Sequence, residues 1–348
     1  MKRIIRLGGV IALLAIALVL GLSQLPTNNE QTIRIEITPG DTLSGLSRQW
    51  QQDGWLPSAL LLRIQAKLSG QSRILRPGEY DIPASLTASQ LLNHLASASP
   101  VAYRVTLIEG HDLREALSAI STAPKLIQDI KPLTPEAVSA LLQLDINPEG
   151  QLYPDTYVYH SGDKASVIIQ QAHQRLQEQL QQAWQLRASG LPYSSPQQAL
   201  IMASIVEKET GAAAERPMIA GVFVRRLQKN MRLETDPTVI YGLGPEFDGN
   251  LRKKHLQDRS NPYNTYRHKG LPPGPIALAG RAAMDAALNP QDGDELYFVA
   301  KGDGSHQFSA TLEEHSAAVR RYQIYRRTKD YRSAPAPQST QEEQQSTL

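Results

Sequence analysis

Ser195-Pro196-Gln197-Gln198-Ala199-Leu200-Ile201-Met202-Ala203-Ser204-Ile205-Val206-Glu207-Lys208-Glu209-Thr210-Gly211 is the stretch on which the reading of this chain turns. Serine at the N-cap and proline at the first helical position open a helix, one supplying a side-chain acceptor and the other a pre-set φ. Ala199 to Val206 is apolar on every side, which predicts a helix buried all round. Gly211 predicts the C-terminal stop. The helix therefore delivers Glu207 and Glu209 to the mouth of a core. Partial desolvation there raises a carboxyl's pKa, so it still carries a proton near neutral pH, as general acid chemistry on a glycosidic bond requires. A solvated Glu-Lys-Glu helix end is the plain alternative. Residues two apart on a helix point about 200° apart, so these glutamates do not form a two-carboxylate pair facing one cleft. Helix geometry does not choose between them, because Ala203 lies one turn behind Glu207 and Ile205 one turn behind Glu209.

The rest of the chain bounds the answer. Its 348 residues, 41% hydrophobic, allow two domains with sizeable cores plus appendages. A net charge of +2 offers no basic field for a nucleic acid. Cysteine is absent, which excludes disulfides and thiolate ligands. No zinc spacing stands out among the eight histidines, and no cofactor or metal is implied. Lys2, Arg3 and Arg6 precede an apolar run from Leu7 to Leu22, near the lower limit for a spanning helix. The positive flank predicts a cytoplasmic N-terminus with everything after it exported. A cleaved signal peptide is the alternative, but Ser23-Gln24-Leu25-Pro26 is not a clean small-x-small site, so a retained anchor over residues 1–25 is expected.

After a polar linker (26–31), Thr32 to Ile37 alternates as a strand, and Asp41 or Thr42 caps a helix through Trp50. Leu56–Leu68 reads as a second helix, Pro77–Ile82 as a turn and strand, and Thr87–Ala96 as a helix. The order strand, helix, helix, strand and the opening Ile37-Thr38-Pro39-Gly40-Asp41-Thr42-Leu43 resemble a LysM module, a small peptidoglycan-binding fold. Beyond it, Tyr103–Ile108 alternates as a strand, and Leu113–Ile120 and Pro135–Leu144 read as helices. Leu152–Tyr157 is an aromatic and proline turn, a substrate wall or a structural corner. Lys164–Arg187 is a long Gln-rich amphipathic helix, and Arg216–Leu227 and Ala279–Leu288 are further helices. Glu295–Ala300 is a strand that pairs across Gly302-Asp303-Gly304 with residues near Gln307-Phe308, and Leu312–Arg326 closes the fold. A tail rich in Ala, Pro, Ser, Thr and Gln is expected to be disordered. The fold class is α+β: a transmembrane helix, a small LysM-like α/β domain (32–102), a larger, mostly helical α+β catalytic domain (103–330) and the tail (331–348).

Two proline-stiffened loops carry unusual polarity: Thr235-Asp236-Pro237-Thr238 with Tyr241, and Asn261-Pro262-Tyr263-Asn264-Thr265-Tyr266, followed by Gly270-Leu271-Pro272-Pro273-Gly274. Tyrosine faces stack on sugars, and Asn, Asp and Thr bond hydroxyl and acetamido groups, so such loops suit a saccharide groove. Turn residues in ordinary turns are the alternative.

These blocks, together with Glu207-Lys208-Glu209-Thr210, Arg232-Leu233 and the continuation Val239-Ile240-Tyr241-Gly242, resemble the YceG-like (MltG) endolytic murein transglycosylases over nearly the whole chain. The resemblance implies an enzyme of the bacterial inner membrane, single-pass, with its domains in the periplasm. It would cut nascent glycan strands between N-acetylmuramic acid and N-acetylglucosamine and leave 1,6-anhydro ends, so releasing or terminating strands. The catalytic glutamate matches Glu209, acting as acid and then as base for the muramic C6 hydroxyl. Substrate contacts fall to Asp236, Thr238, Tyr241, Tyr263, Asn264 and Tyr266, with Glu207 and Thr235 in support. The partners implied are peptidoglycan strands and the membrane. Penicillin-binding synthases are expected nearby, although no motif names one. A muramidase-type hydrolase and a non-catalytic scaffold for wall synthases are the competing readings. The chain departs from the family at Arg225, where Asn is usual, at Glu234, where Gln is usual, and around Phe308-Ser309.

Overall fold

The structure, a computed structural model, describes residues 21, 24–71 and 75–325. The expected anchor lies almost wholly outside the described residues, and the tail 331–348 entirely so. Among the described residues no helix is long and apolar enough to cross a membrane. The fold is a mixture of helices and small sheets, with three two-stranded sheets among the described residues.

The chain divides into two compact units. In the first, β1 (Ile33–Ile37), α1 (Leu43–Gln52), α2 (Ala59–Leu68), β2 (Gly78–Ile82) and α3 (Ala88–Ser97) follow the predicted order. The alternation in β1 turns Ile35 and Ile37 inward and leaves Arg34 and Glu36 exposed. β1 and β2 pair antiparallel with Ile33 opposite Ile82, which sets Arg34 against Asp81 in an ion pair at 2.8 Å. Thr42, Ser58 and Thr87 cap the three helices through their side-chain oxygens. The apolar faces meet in one core of Ile37, Leu46, Trp50, Leu62, Tyr80 and Leu92.

This unit is more than the single stretch 32–102 expected from the sequence, because residues 123–127 and 158–164 also belong to it. The physical reason is a buried carboxylate. Glu79 is 4% exposed, and it takes an ion pair from Lys125 at 2.7 Å and a hydrogen bond from the Tyr103 hydroxyl. A charge so placed needs those partners, and Lys125 comes from the returning segment. Tyr159 adds a bond from its hydroxyl to Pro124 O at 2.7 Å.

The second unit starts at Val105, within β3 (Ala102–Thr106), and holds α4 (Leu113–Ser121) and α5 (Pro135–Leu142). β4 (Thr156–His160) leads to α6 (Ala165–Gln185), α7 (Pro196–Glu209), α8 (Arg216–Gln228), α9 (Asp236–Leu243), α10 (Lys253–Gln257) and α11 (Arg281–Leu288). It ends with the antiparallel pair β5 (Tyr297–Ala300) and β6 (His306–Ser309), then α12 (Leu312–Val319), which continues as a π-helical stretch, Arg320–Tyr325. α7 is the centre: every residue from Ala199 to Val206 is buried, against α6, α8 and α11. The small residues Ala199, Ala203, Ala220, Ala283 and Ala287 let these helices approach closely around Leu200, Met202, Ile205 and Phe223. Each such aliphatic side chain contributes about 1.5–3 kcal/mol of burial, so the end of α7 has a fixed position. The Gln-rich α6 buries Ile168, Ile169, Ala172, Leu176 and Leu180 and leaves its glutamines outward. The Leu152–Tyr157 turn is a structural corner, with Leu152, Tyr153 and Tyr157 buried and the Tyr157 hydroxyl bonded to Tyr153 O at 2.7 Å.

Candidate active site

α7 ends at Glu209 because Thr210 takes an extended backbone (φ −148°, ψ 136°) and its hydroxyl accepts from Ala212 N at 2.9 Å. The glycine stop expected at Gly211 is thus corrected: that residue is not among the glycines with positive φ. Glu209 opens onto a cleft of about 620 Å³. Thr235, Asp236 and Tyr266 line one side, and Tyr297, Phe298 and His306 line another. Glu209 as a residue is half-buried, but its carboxyl is shielded from water. That burial pushes it up to about 7; the charge of Asp236 acts in the same direction, and a hydrogen bond from the Thr235 hydroxyl opposes both.

Glu207 points elsewhere. Its carboxyl accepts from Gly280 N at 2.9 Å and from Arg216 Nη2 at 3.1 Å, with side-chain exposures of 5% and 13% for the acid and the arginine. Burial raises its pKa, while Gly280 and Arg216 pull it back down. Glu207 therefore ties the end of α7 to the start of α11 and to α8. The two glutamates, equivalent by helix geometry, are separated by what each one meets.

The floor of the cleft is rigid for a reason the sequence shows only in part. Thr235 N donates to Thr265 Oγ1 at 3.0 Å, Thr238 Oγ1 donates to Thr235 O at 2.8 Å, and the Thr238 and Thr265 hydroxyls meet at 2.9 Å. The preceding Glu234 has φ +55°, a left-handed conformation that a non-glycine residue holds only when its surroundings over-determine it. Arg226 supplies that constraint. It is 7% exposed and donates to Leu233 O at 2.9 Å, Leu296 O at 2.6 Å and Glu234 Oε2 at 3.3 Å, with its guanidinium 5.0 Å over the Tyr297 ring.

The sequence-predicted contacts fall into three places. Asp236 and Tyr266 line the Glu209 cleft, joined by a bond from the Tyr266 hydroxyl at 2.7 Å. Thr238 and Asn264 are fully buried. Thr238 is held in the threonine cluster, and Asn264 Nδ2 donates to Asp258 O at 2.6 Å and His255 O at 3.1 Å. The structure does not put these two on the cleft, and they shape its loops from behind. Tyr241 and Tyr263 line a different cavity, with Glu149.

Comparison with known proteins matches the chain to a family. The pattern of the YceG-like family covers residues 35–321. The chain belongs to the YceG-like family. The Bacillus subtilis (strain 168) protein named endolytic murein transglycosylase is 31% identical over 324 residues, 86% of this chain and 88% of that one. A protein of the same name from Streptococcus pneumoniae serotype 2 is 24% identical over 333 residues, 86% of this chain but 60% of that one. Among solved structures, a YceG-like protein from Listeria monocytogenes superposes with a TM-score of 0.51 at 31% identity, covering 83% of this chain and 99% of that one.

In this YceG-like protein, sequence reasoning missed Arg226, His306 and Glu149. Arg226 lies in the run Arg225-Arg226-Leu227, and only the three-dimensional path of residues 232–234 reveals its role. His306 sits in a plain strand pattern; in the structure it is 8% exposed and held by Glu215, through its N–H at 2.9 Å and its ring at 2.7 Å. Glu234 lines the cleft, paired with Arg226.

Proposed function

We propose that this protein cleaves peptidoglycan glycan strands as a single-carboxyl lytic transglycosylase, with Glu209 as acid and base. As a family, YceG-like proteins supply the class: the curated relatives are named endolytic murein transglycosylases, and this chain is an enzyme of that class. The observation that carries the residue assignment is the Glu209 carboxyl, buried at the wall of a cleft and pushed up to about 7.

In the reaction, protonated Glu209 gives its proton to the oxygen between N-acetylmuramic acid and N-acetylglucosamine. That bond breaks as positive charge builds on the muramic ring. The ionised Glu209 then takes the proton of the muramic C6 hydroxyl, whose oxygen closes on C1 to leave a 1,6-anhydro end. The nucleophile is tethered, so its effective concentration is high and no water is required. Thr235 holds the Glu209 carboxyl in place through its hydroxyl. Asp236 and Tyr266, joined to each other, present an acceptor and a phenol to the sugar. Their position supports the reading of the loop blocks as a saccharide groove.

The first unit acts in this reading as a LysM-like glycan-holding module, which the β1–α1–α2–β2 order supports. The apolar run Leu7–Leu22 behind Lys2, Arg3 and Arg6 acts as an inner-membrane anchor, leaving both units in the periplasm near the synthases that make the strands. A hydrolase is the second reading, and Asp236 is the observation that favours it, since a second carboxylate shares the cleft. Mass spectrometry of digested strands, with wild type beside Glu209→Gln, tests both. Anhydro ends from wild type alone are expected. Reducing ends, heavier by one water, would replace the lyase with a hydrolase. Cleavage by Glu209→Gln would remove Glu209 from the mechanism.

A further inference from the structure

Part of each loop block lies away from the Glu209 cleft. Tyr241-Gly242, Pro262 and Tyr263 converge instead on a separate cavity of about 690 Å³ in the same unit. Its walls are built with close tolerances. A Cβ on Gly242 would lie 2.0 Å from Asn261 Oδ1, and Gly274 faces the Tyr263 hydroxyl at 3.3 Å. Gly150, at φ +72°, would strike Pro275 at 2.5 Å, so only glycine lets the Pro148–Gln151 turn reach the proline loop.

That turn carries Glu149, which is 4% exposed and unused by the mechanism. Its carboxyl accepts from Leu113 N at 3.0 Å and Gly150 N at 3.1 Å, and burial pushes it up to about 7. The Tyr241 side chain shares this cavity with Glu149 and Asn147. The Tyr241 and Tyr263 rings meet edge to face, 4.8 Å apart at 63°. The cavity thus offers aromatic walls and polar groups, with Arg114 of its lining paired to Asp112, which matches the amphipathic surface of a sugar.

The two openings share structure. α9 carries Asp236, Pro237 and Ile240 on the Glu209 cleft and Tyr241 and Gly242 on the second cavity. Its eight residues span about 12 Å. The loop 261–266 repeats the arrangement, with Tyr263 on the cavity and Tyr266 on the cleft.

We infer that the cavity lined by Tyr241, Tyr263 and Asn147 is a remote saccharide subsite, holding the same glycan strand away from the bond cut at Glu209. This rests on the proposed function. It gives the enzyme a grip on sugars beyond the reacting pair, so that long strands are held and cut internally.

The test uses the full chain and strands stripped of stem peptides, either long or as a tetrasaccharide that fills only the Glu209 cleft. Tyr263→Ala removes a wall. Glu136→Trp, from an exposed helix position on the rim, blocks the cavity without touching the core. For both variants KM on long strands should rise roughly tenfold, and for Glu136→Trp kcat/KM on the tetrasaccharide should be unchanged. Equal losses on both lengths, or no loss on either, would overturn the subsite. Binding of long strands to the Glu209→Gln chain, with and without Glu136→Trp, is read separately. An uncut strand in every digest would defeat the proposed function, while tenfold weaker binding caused by Glu136→Trp would still uphold the subsite, and unchanged binding would reject it.

Discussion

The Thr235 hydroxyl donates a hydrogen bond to Glu209 Oε1 across 26 residues of chain, and Asp236, the next residue, faces the same carboxyl. The two neighbours act on Glu209 in opposite senses. Thr235 favours the ionised form, and Asp236 the protonated one. A general acid must enter the reaction protonated, so activity should fall as pH rises through about 7. Thr235→Val should move that alkaline limb to higher pH and lower kcat about tenfold, and Asp236→Asn should move it to lower pH. Rate profiles against pH for the two variants check the pair of signs, and limbs moving together would reject the assignment.

The same carboxyl has a stability consequence. Its pKa is raised from 4.5 to about 7 in the folded chain. The stability linked to its proton is therefore complete below about pH 4.5 and is lost as pH rises through about 7. Glu209→Gln mimics the protonated acid permanently. It should raise Tm at pH 8, by about 1–3 kcal/mol of stability once the half-exposed position is allowed for, and the gain should shrink towards pH 5. Thermal melts at the two pH values measure it; a variant less stable than wild type at pH 8 would contradict the burial of this group.

Glu207 is predicted to matter through the fold. Arg216→Met should leave its carboxyl buried with only Gly280 as partner and cost about 3–5 kcal/mol. Glu207→Gln combined with Arg216→Met should be milder than Arg216→Met alone, because no unpaired charge remains. Denaturant midpoints of the two single variants and the double variant provide the test. Activity per folded molecule should survive in Glu207→Gln.

Gly242→Ala should destabilise by about 2–4 kcal/mol. The new Cβ would displace Asn261, which is buried, donates to Val239 O at 3.1 Å and accepts from Tyr263 N at 2.9 Å. Tyr263 should lose its position with it. Comparing urea midpoints of Gly242→Ala and Gly244→Ala separates packing from backbone effects, since Gly244 faces open space but has φ +61°.

Most of the secondary structure was legible in the chain. The reason is local: Thr42, Thr87 and Ser195 signal helix starts through their side-chain acceptors, and the alternation in β1 and the spacing in α6 reflect burial on one face. The all-round apolar run of α7 likewise announced a buried helix with carboxyls at its end. The site was legible only as a set of residue types. Thr238 and Asn264 have the chemistry of sugar contacts, yet they point into the protein, because the buried backbone carbonyls of two loops need donors.

The sequence by itself determined most of the helices, the order of the first unit, the family and the two glutamates that α7 presents, whereas the block read as a proline-stiffened loop from Thr235 folds as the helix α9. Only the tertiary structure decided between those glutamates, because the difference lies in what arrives from far along the chain: Gly280 and Arg216 at Glu207, Thr235 and Asp236 at Glu209. It also divided Tyr241 and Tyr263 from Tyr266 and drew Glu149 into a cavity with the first two. A carboxyl's proton affinity and a ring's neighbours are set by burial and through-space contacts, and local sequence encodes neither.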